Sequence, residues 1–147
     1  MTRVLGLDVG ARRVGVAVSD PLGLSAQPVG FIRRASRRDD MEKVGEFVLE
    51  YEVGLVVVGL PRNMDGSEGR ACEEARLFAS WVERDLGVAV EMQDERLTTV
   101  GAERLLLEAD VSRARRRRVV DKMAASLMLQ TYMDSRRRGG DEPGEDG

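Results

Sequence analysis

The stretch VLGLDVGARRVGVAVSD, residues 4–20, places one carboxylate, Asp8, inside a run that otherwise reads as two short apolar strands joined by a tight turn. Strand alternation gives Asp8 the same face as Val4 and Gly6, with Leu5, Leu7 and Val9 on the other. Across the turn, one face of the second strand shows only Gly15, Ala17 and Ser19. Small residues beside an acid leave room for a ligand to approach the sheet; the competing reading is an Asp that stabilises the turn before Gly10. Two more acids, Asp94 and Glu95, open DERLTT at 94–99, and alternation lets only one of them point where Asp8 points. Asp121 falls in the first turn of the last expected helix, where a carboxylate meets the helix dipole favourably. Ala124 and Ala125, one turn on, would let that end of the helix approach the sheet and bring Asp121 to the strand ends.

The chain has no histidine, so carboxylates are left for acid–base work or metal ligation. Acids converging from separate elements suit hard, oxygen-seeking cations such as Mg²⁺ or Mn²⁺. On a phosphodiester, paired metals of this kind activate a water and stabilise the leaving oxygen. The distribution of arginine points to the same substrate. Net charge is −3, but the terminal DEPGEDG alone carries four acids, and the basic residues gather as RRASRR at 33–38, RARRRR at 113–118 and RRR at 136–138. Arginine offers the planar, bidentate phosphate recognition that lysine lacks. The candidate nucleic-acid contacts are Arg12, Arg13, Asn63, Ser67, Arg96, Arg115, Arg116, Arg117 and Arg118. Asn63 and Ser67 lie in GLPRNMDGSEGR, a loop able to offer donors to phosphate although it matches no P-loop.

The elements that must position these groups form an α/β pattern. Residues 3–9, 14–19 and 25–32 read as a three-stranded meander, and residues 39–51 repeat apolar positions at helical spacing. VGLVVVGLP is an unbroken aliphatic run suited to a strand covered on both faces, and is expected at the middle of the sheet. A helix to Leu86, a strand at VAVEM, a helix over 98–110 capped by Thr98 or Thr99, and a last helix from Val119 to Met133 complete the order. Parallel crossovers then put a site at the carboxyl ends of the strands. At 147 residues one domain is expected, over 1–135, with 136–147 as a disordered charged tail. Lone Cys72 has no partner for a disulfide or a zinc site. Neither a membrane span nor a signal peptide is evident, which predicts a cytoplasmic protein without a membrane partner.

GLDVGARRVGVAVSD, VVGLPRNMDGSEG, DERLTT and DKMAASLMLQTYMD together resemble the YqgF/RuvX family of ribonuclease H-like proteins, and in this order they span nearly all of residues 3–134. The resemblance implies a ribonuclease H-like five-stranded mixed sheet flanked by helices, and phosphodiester hydrolysis with Mg²⁺ or Mn²⁺. It further implies action on the 5′ end of pre-16S rRNA in the cytoplasm. Carried over by motif, Asp8, Glu95 and Asp121 are the catalytic, metal-binding acids. Better-studied ribonuclease H-like resolvases carry an acid at the end of the central strand, where this chain has Gly59-Leu60-Pro61. Glu95 must replace it from the next strand. The frame of Val88, Val90 and Met92 supports that choice by setting Glu95 in phase with Glu91 and Gln93, unless a bulge intervenes, and leaves Asp94 to solvent or to Thr98. The alternatives are a Holliday junction resolvase acting on branched DNA, which as a homodimer would bring two sites together, and a non-catalytic RNA-binding factor.

Overall fold

The computed structural model describes the backbone of residues 2–97 and 113–140, and side chains over 2–96 and 123–137. The first three strands are β1 (Arg3–Val9), β2 (Arg13–Ser19) and β3 (Ala26–Arg33), followed by α1 (Arg37–Glu50), β4 (Val53–Leu60), α2 (Arg70–Leu86) and β5 (Ala89–Asp94). A single 3₁₀ turn, Glu95–Leu97, leaves β5, and the last helix, α3, spans Arg113–Gly140. The sheet order is β3-β2-β1-β4-β5. β1 pairs antiparallel with β2 and parallel with β4, and β5 is parallel to β4. β1 rather than β4 therefore occupies the middle. Both are interior strands, and an aliphatic run marks burial on two faces without saying which interior position a strand takes.

Alternation sorts the side chains into two cores. Leu5, Leu7, Val56, Val58 and Leu60 pack with Met41 and Val44 of α1 and with Ala75, Phe78 and Val82 of α2. On the opposite face Ala17 and Val57 pack with Ala124, Ala125, Met128 and Leu129 of α3. Helices thus cover both faces, as parallel crossovers require. The small-residue face is what lets α3 come close: a Cβ on Gly6 would lie 3.0 Å from Leu129 Cβ and 3.3 Å from the Ala125 carbonyl oxygen. Gln130 fastens α3 to the β2–β3 connection, accepting from the Ala26 amide at 2.9 Å and donating to the Leu24 carbonyl at 3.0 Å.

α3 starts six residues before the expected Val119 and runs past the expected Met133. Its first turns are RARRRR at 113–118, good helix formers that carry no apolar period to announce them. At the other end Arg136, expected in the disordered tail, donates to Glu91 of β5 at 2.7 Å and to the Tyr132 hydroxyl at 3.0 Å. Residues 136–140 are helical; residues 141–147 and the helix expected over 98–110, with its Thr98 or Thr99 cap, lie outside the described residues. No helix among the described residues is long and apolar enough to cross a membrane.

Candidate active site at the strand ends

β1, β4 and β5 run parallel, so their carboxyl ends meet at one edge of the sheet. Leu7 pairs with Val58, which sets Asp8 beside Gly59 on the α3 side, the face it shares with Gly6. A Cβ on Gly15 of β2 would lie 3.7 Å from Asp8 Cβ and 3.6 Å from Ala125 Cβ. Asp8 is thus flanked by a bare backbone on each neighbouring strand.

Gly59 explains how a second acid reaches it. A Cβ there would lie 2.7 Å from Glu95 Oε1 and 2.9 Å from Glu95 Cδ, so the Glu95 carboxylate fills the space a β4 side chain would take. The β5 frame holds to its end: Val90 and Met92 join the α2-side core, while Glu91 turns to Tyr132 and Arg136 of α3. Glu95 opens the 3₁₀ turn and is 3% exposed. Asp8 and Glu95 line one cleft of about 500 Å³, together with Arg12, Arg13 and Phe31. Its floor at the β1–β2 turn is closed by the Gly10 amide donating to the Arg13 carbonyl at 2.9 Å. Only glycine suits position 10, because a Cβ there would sit 2.8 Å from that carbonyl oxygen.

Asp94 points the other way and works on the adjoining loop. It accepts from the Arg96 amide at 3.0 Å, from Arg96 Nε at 3.1 Å and from Arg62 Nη1 at 3.3 Å. Arg62 also donates to Glu68, which receives two bonds from Arg76. The Glu68 carboxyl is drawn down to about 2, first by Arg76 and then by Arg62, against the opposing effect of desolvation. Arg96 reaches the Met64 carbonyl as well, so it ties residues 62–68 to the end of β5. Asn63 and Ser67 are exposed and bond to each other at 2.9 Å, with Ser67 also held by Asp65. Asp94→Asn should therefore lower stability by about 1 kcal/mol at most, the scale of a lost cap, since Asp94 Oδ1 accepts from the Arg96 amide at the start of the 3₁₀ turn, as read by denaturant unfolding. A loss of several kcal/mol would mean that Asp94 holds the fold itself.

The 33–38 arginine cluster is partly committed inside the chain. Arg34 donates to the Gly10 carbonyl at 3.1 Å and pairs with Asp40, which is 1% exposed; Arg37 forms a two-pronged pair with Asp85. These arginines brace the cleft's turn and the α1–α2 layer. Arg12 and Arg13 are exposed at the rim.

Asp121 stands in the third turn of α3, because the helix begins at Arg113, so a place at the helix's start does not account for it. It precedes Ala125 by four residues and shares that helix stripe. Its side chain, like those of Arg115, Arg116, Arg117 and Arg118, lies outside the described residues. Among the described residues no three His, Cys, Asp or Glu side chains gather closely enough to hold a metal. Asp8 and Glu95 could supply two oxygen donors to such a set, Glu95 from the cradle that a Cβ on Gly59 would fill. That donor chemistry fits a hard divalent cation. Phe31 is the cleft residue that sequence reasoning passed over; the signal was an aromatic in an edge strand with little apolar company, between Gly30 and Ile32.

The family described as "RuvX: Holliday junction resolvase" matches residues 2–135. A protein of Pelotomaculum thermopropionicum named "Putative pre-16S rRNA nuclease" is 50% identical, over 97% of this chain and 96% of its own length. One of the same name from Myxococcus xanthus is 53% identical, over 92% and 89%. Among solved structures, RuvC of T. thermophilus bound to a Holliday junction substrate superposes with a TM-score of 0.52 at 13% identity, covering 93% of this chain and 96% of that one. Another Thermus thermophilus RuvC structure gives 0.51 at 16% identity. That likeness is one of fold, and the fold is ribonuclease H-like. With half its residues identical to relatives along nearly their whole length, and the family's pattern matched from residue 2 to 135, the chain belongs to the RuvX family.

Proposed function

We propose that this protein is a divalent-metal-dependent endonuclease that hydrolyses phosphodiesters, and that its substrate is the 5′ end of pre-16S rRNA in the cytoplasm. The observation that carries the reading is that Asp8 of β1 and Glu95 from the end of β5, the latter filling the space over Gly59, line one cleft with Arg12 and Arg13. Asp8, Glu95 and Asp121 are the residues that would hold Mg²⁺ or Mn²⁺. Such an ion, when bound, supplies an activated water and charge stabilisation for the leaving oxygen. The chain's own part is to aim the carboxylates and hold the strand. Buried Glu95 is fixed by its packing against the β4 backbone, and Arg12 and Arg13 offer guanidinium donors where a phosphate would enter.

The names of relatives about half identical to this chain support RNA processing as its work. Junction cutting is the second reading, favoured by the family's description, and would need two such sites in a homodimer. Cleavage of a pre-16S leader RNA and a four-way DNA junction, side by side with Mg²⁺, Mn²⁺ or EDTA, tests both. Cleavage of the leader alone and only with metal supports the proposal, cleavage of the junction alone replaces it, and binding of RNA without cleavage would make the protein a non-catalytic factor.

Arginines that track a phosphate backbone also predict a steep salt dependence. Each neutralised phosphate contributes a log–log slope of magnitude about 0.7 on single strands to 0.9 on duplex DNA. Replacing Arg115, Arg116, Arg117 and Arg118 with Ser should flatten the slope measured by equilibrium binding. An unchanged slope would return this stretch of α3 to a solvated helix face.

A further inference from the structure

We propose that Phe31 is a base-stacking platform beside the two carboxylates, so that the cleft takes a nucleic-acid strand presenting an unpaired nucleobase; this rests on the nuclease reading of the same site. Three phenylalanines are present in the chain. Phe78 is fully buried in the α2-side core and Phe47 packs against it, whereas Phe31 is 37% exposed and belongs to neither core. It projects from edge strand β3 directly opposite Gly15, in the cleft that Asp8 and Glu95 line. Gly15 gives it room: a Cβ there would meet Phe31 Cε1 at 3.7 Å and Asp8 Cβ at the same distance. The ring edge and the acid therefore flank one patch of bare backbone. Two residues before Phe31 in β3 the pairing with β2 shifts register, leaving Val29 without a direct partner, the kind of bulge that re-aims neighbouring side chains.

The ring already holds a planar cation. The Arg13 guanidinium carbon lies over it, 4.5 Å from its centroid. Guanidinium planes and nucleobases stack on aromatic faces by the same combination of flat apolar contact and quadrupole electrostatics. A base can join this stack while Arg13 meets the adjoining phosphate, which would set one nucleotide at a fixed distance from Asp8. A base inside a duplex has both faces covered by its neighbours and cannot do so without unstacking. A purely structural role, a lid over Gly15, needs an apolar side chain but no aromatic plane, and that difference separates the two roles by experiment.

The test uses the whole protein in EDTA, and again with Ca²⁺, with a short RNA carrying 2-aminopurine, single-stranded or annealed to its complement. Binding should quench the fluorophore in the single strand and leave it unchanged in the duplex. Phe31→Ala and Phe31→Leu should each weaken single-strand binding about tenfold, the scale of one base–aromatic stack, and abolish the quench, with the salt slope unchanged. Phe31→Trp should retain both. Thermal melting of each variant checks the fold, and the Leu variant keeps the apolar cover. Wild-type affinity and quenching in Phe31→Leu, equal quenching in duplex, or no binding of the RNA by the wild type would each overturn the inference. Metal-dependent cleavage by the wild type is scored separately: if it persists when stacking fails, only the platform is lost. If stacking holds and no cleavage is seen, only the nuclease reading is lost.

Discussion

Asp8→Asn should remove metal-dependent cleavage and leave the melting temperature of the metal-free protein unchanged or higher. The substitution keeps shape and replaces one acid of a cleft that a second acid, Glu95, also lines. Like charges brought together oppose folding, so losing one relieves the fold in the absence of a cation. The activity loss should exceed 100-fold, since outer partners of metal ligands alone account for about 10- to 100-fold. A turn-stabilising Asp predicts the reverse. The turn, however, has fixings of its own: the Gly10–Arg13 backbone bond, and Arg34 reaching across from the end of β3 to the Gly10 carbonyl. Single-turnover cleavage and thermal melting in EDTA decide between them. A drop of several degrees with cleavage retained would return Asp8 to the turn.

The parts of this arrangement legible in the sequence were those that depend on local periodicity. Alternation around Asp8 correctly separated the face of Val4 and Gly6 from that of Leu5 and Leu7, and these faces meet α3 and the α1–α2 layer respectively. The frame from Val90 and Met92 likewise extended through Asp94 without a bulge. What was hidden rests on partners distant in the chain. Arg62 and Asp94 are 32 positions apart and Arg136 and Glu91 are 45 apart, so nothing local marked them as fixed. The second of these contacts carries α3 past Met133 into a stretch whose composition alone reads as solvated. Strand order was equally opaque, because the aliphatic run of β4 looks the same beside the middle of a sheet as within it. Gly59 shows the limit most sharply: only the resemblance to ribonuclease H-like resolvases implies that an acid is missing there, and the structure reveals that the space over Gly59 holds Glu95.

That volume makes Gly59→Ala the sharpest probe of which acid of DERLTT serves the site. The added methyl would meet Glu95 Oε1 at 2.7 Å, Cδ at 2.9 Å and Cγ at 3.2 Å, and no backbone atom is among these nearest contacts. A side chain leaving a 3₁₀ turn can yield where a neighbouring strand could not, so the fold should survive while the carboxylate moves. Displacing a reacting group by about 1 Å can slow a reaction about 100-fold, and that is the loss expected for Gly59→Ala. Glu95→Gln, which keeps the shape and removes the anionic ligand, should fall to background. Asp94→Asn should retain cleavage, because Asp94 spends its oxygens on Arg62 and Arg96 on the far side of the strand. Single-turnover rates for the three variants, with unfolding curves as the control, give opposite orders for the two registers. Full activity in Glu95→Gln and Gly59→Ala together with none in Asp94→Asn would make Asp94 the functional acid and reduce Glu95 to a filler of the space that Gly59 leaves.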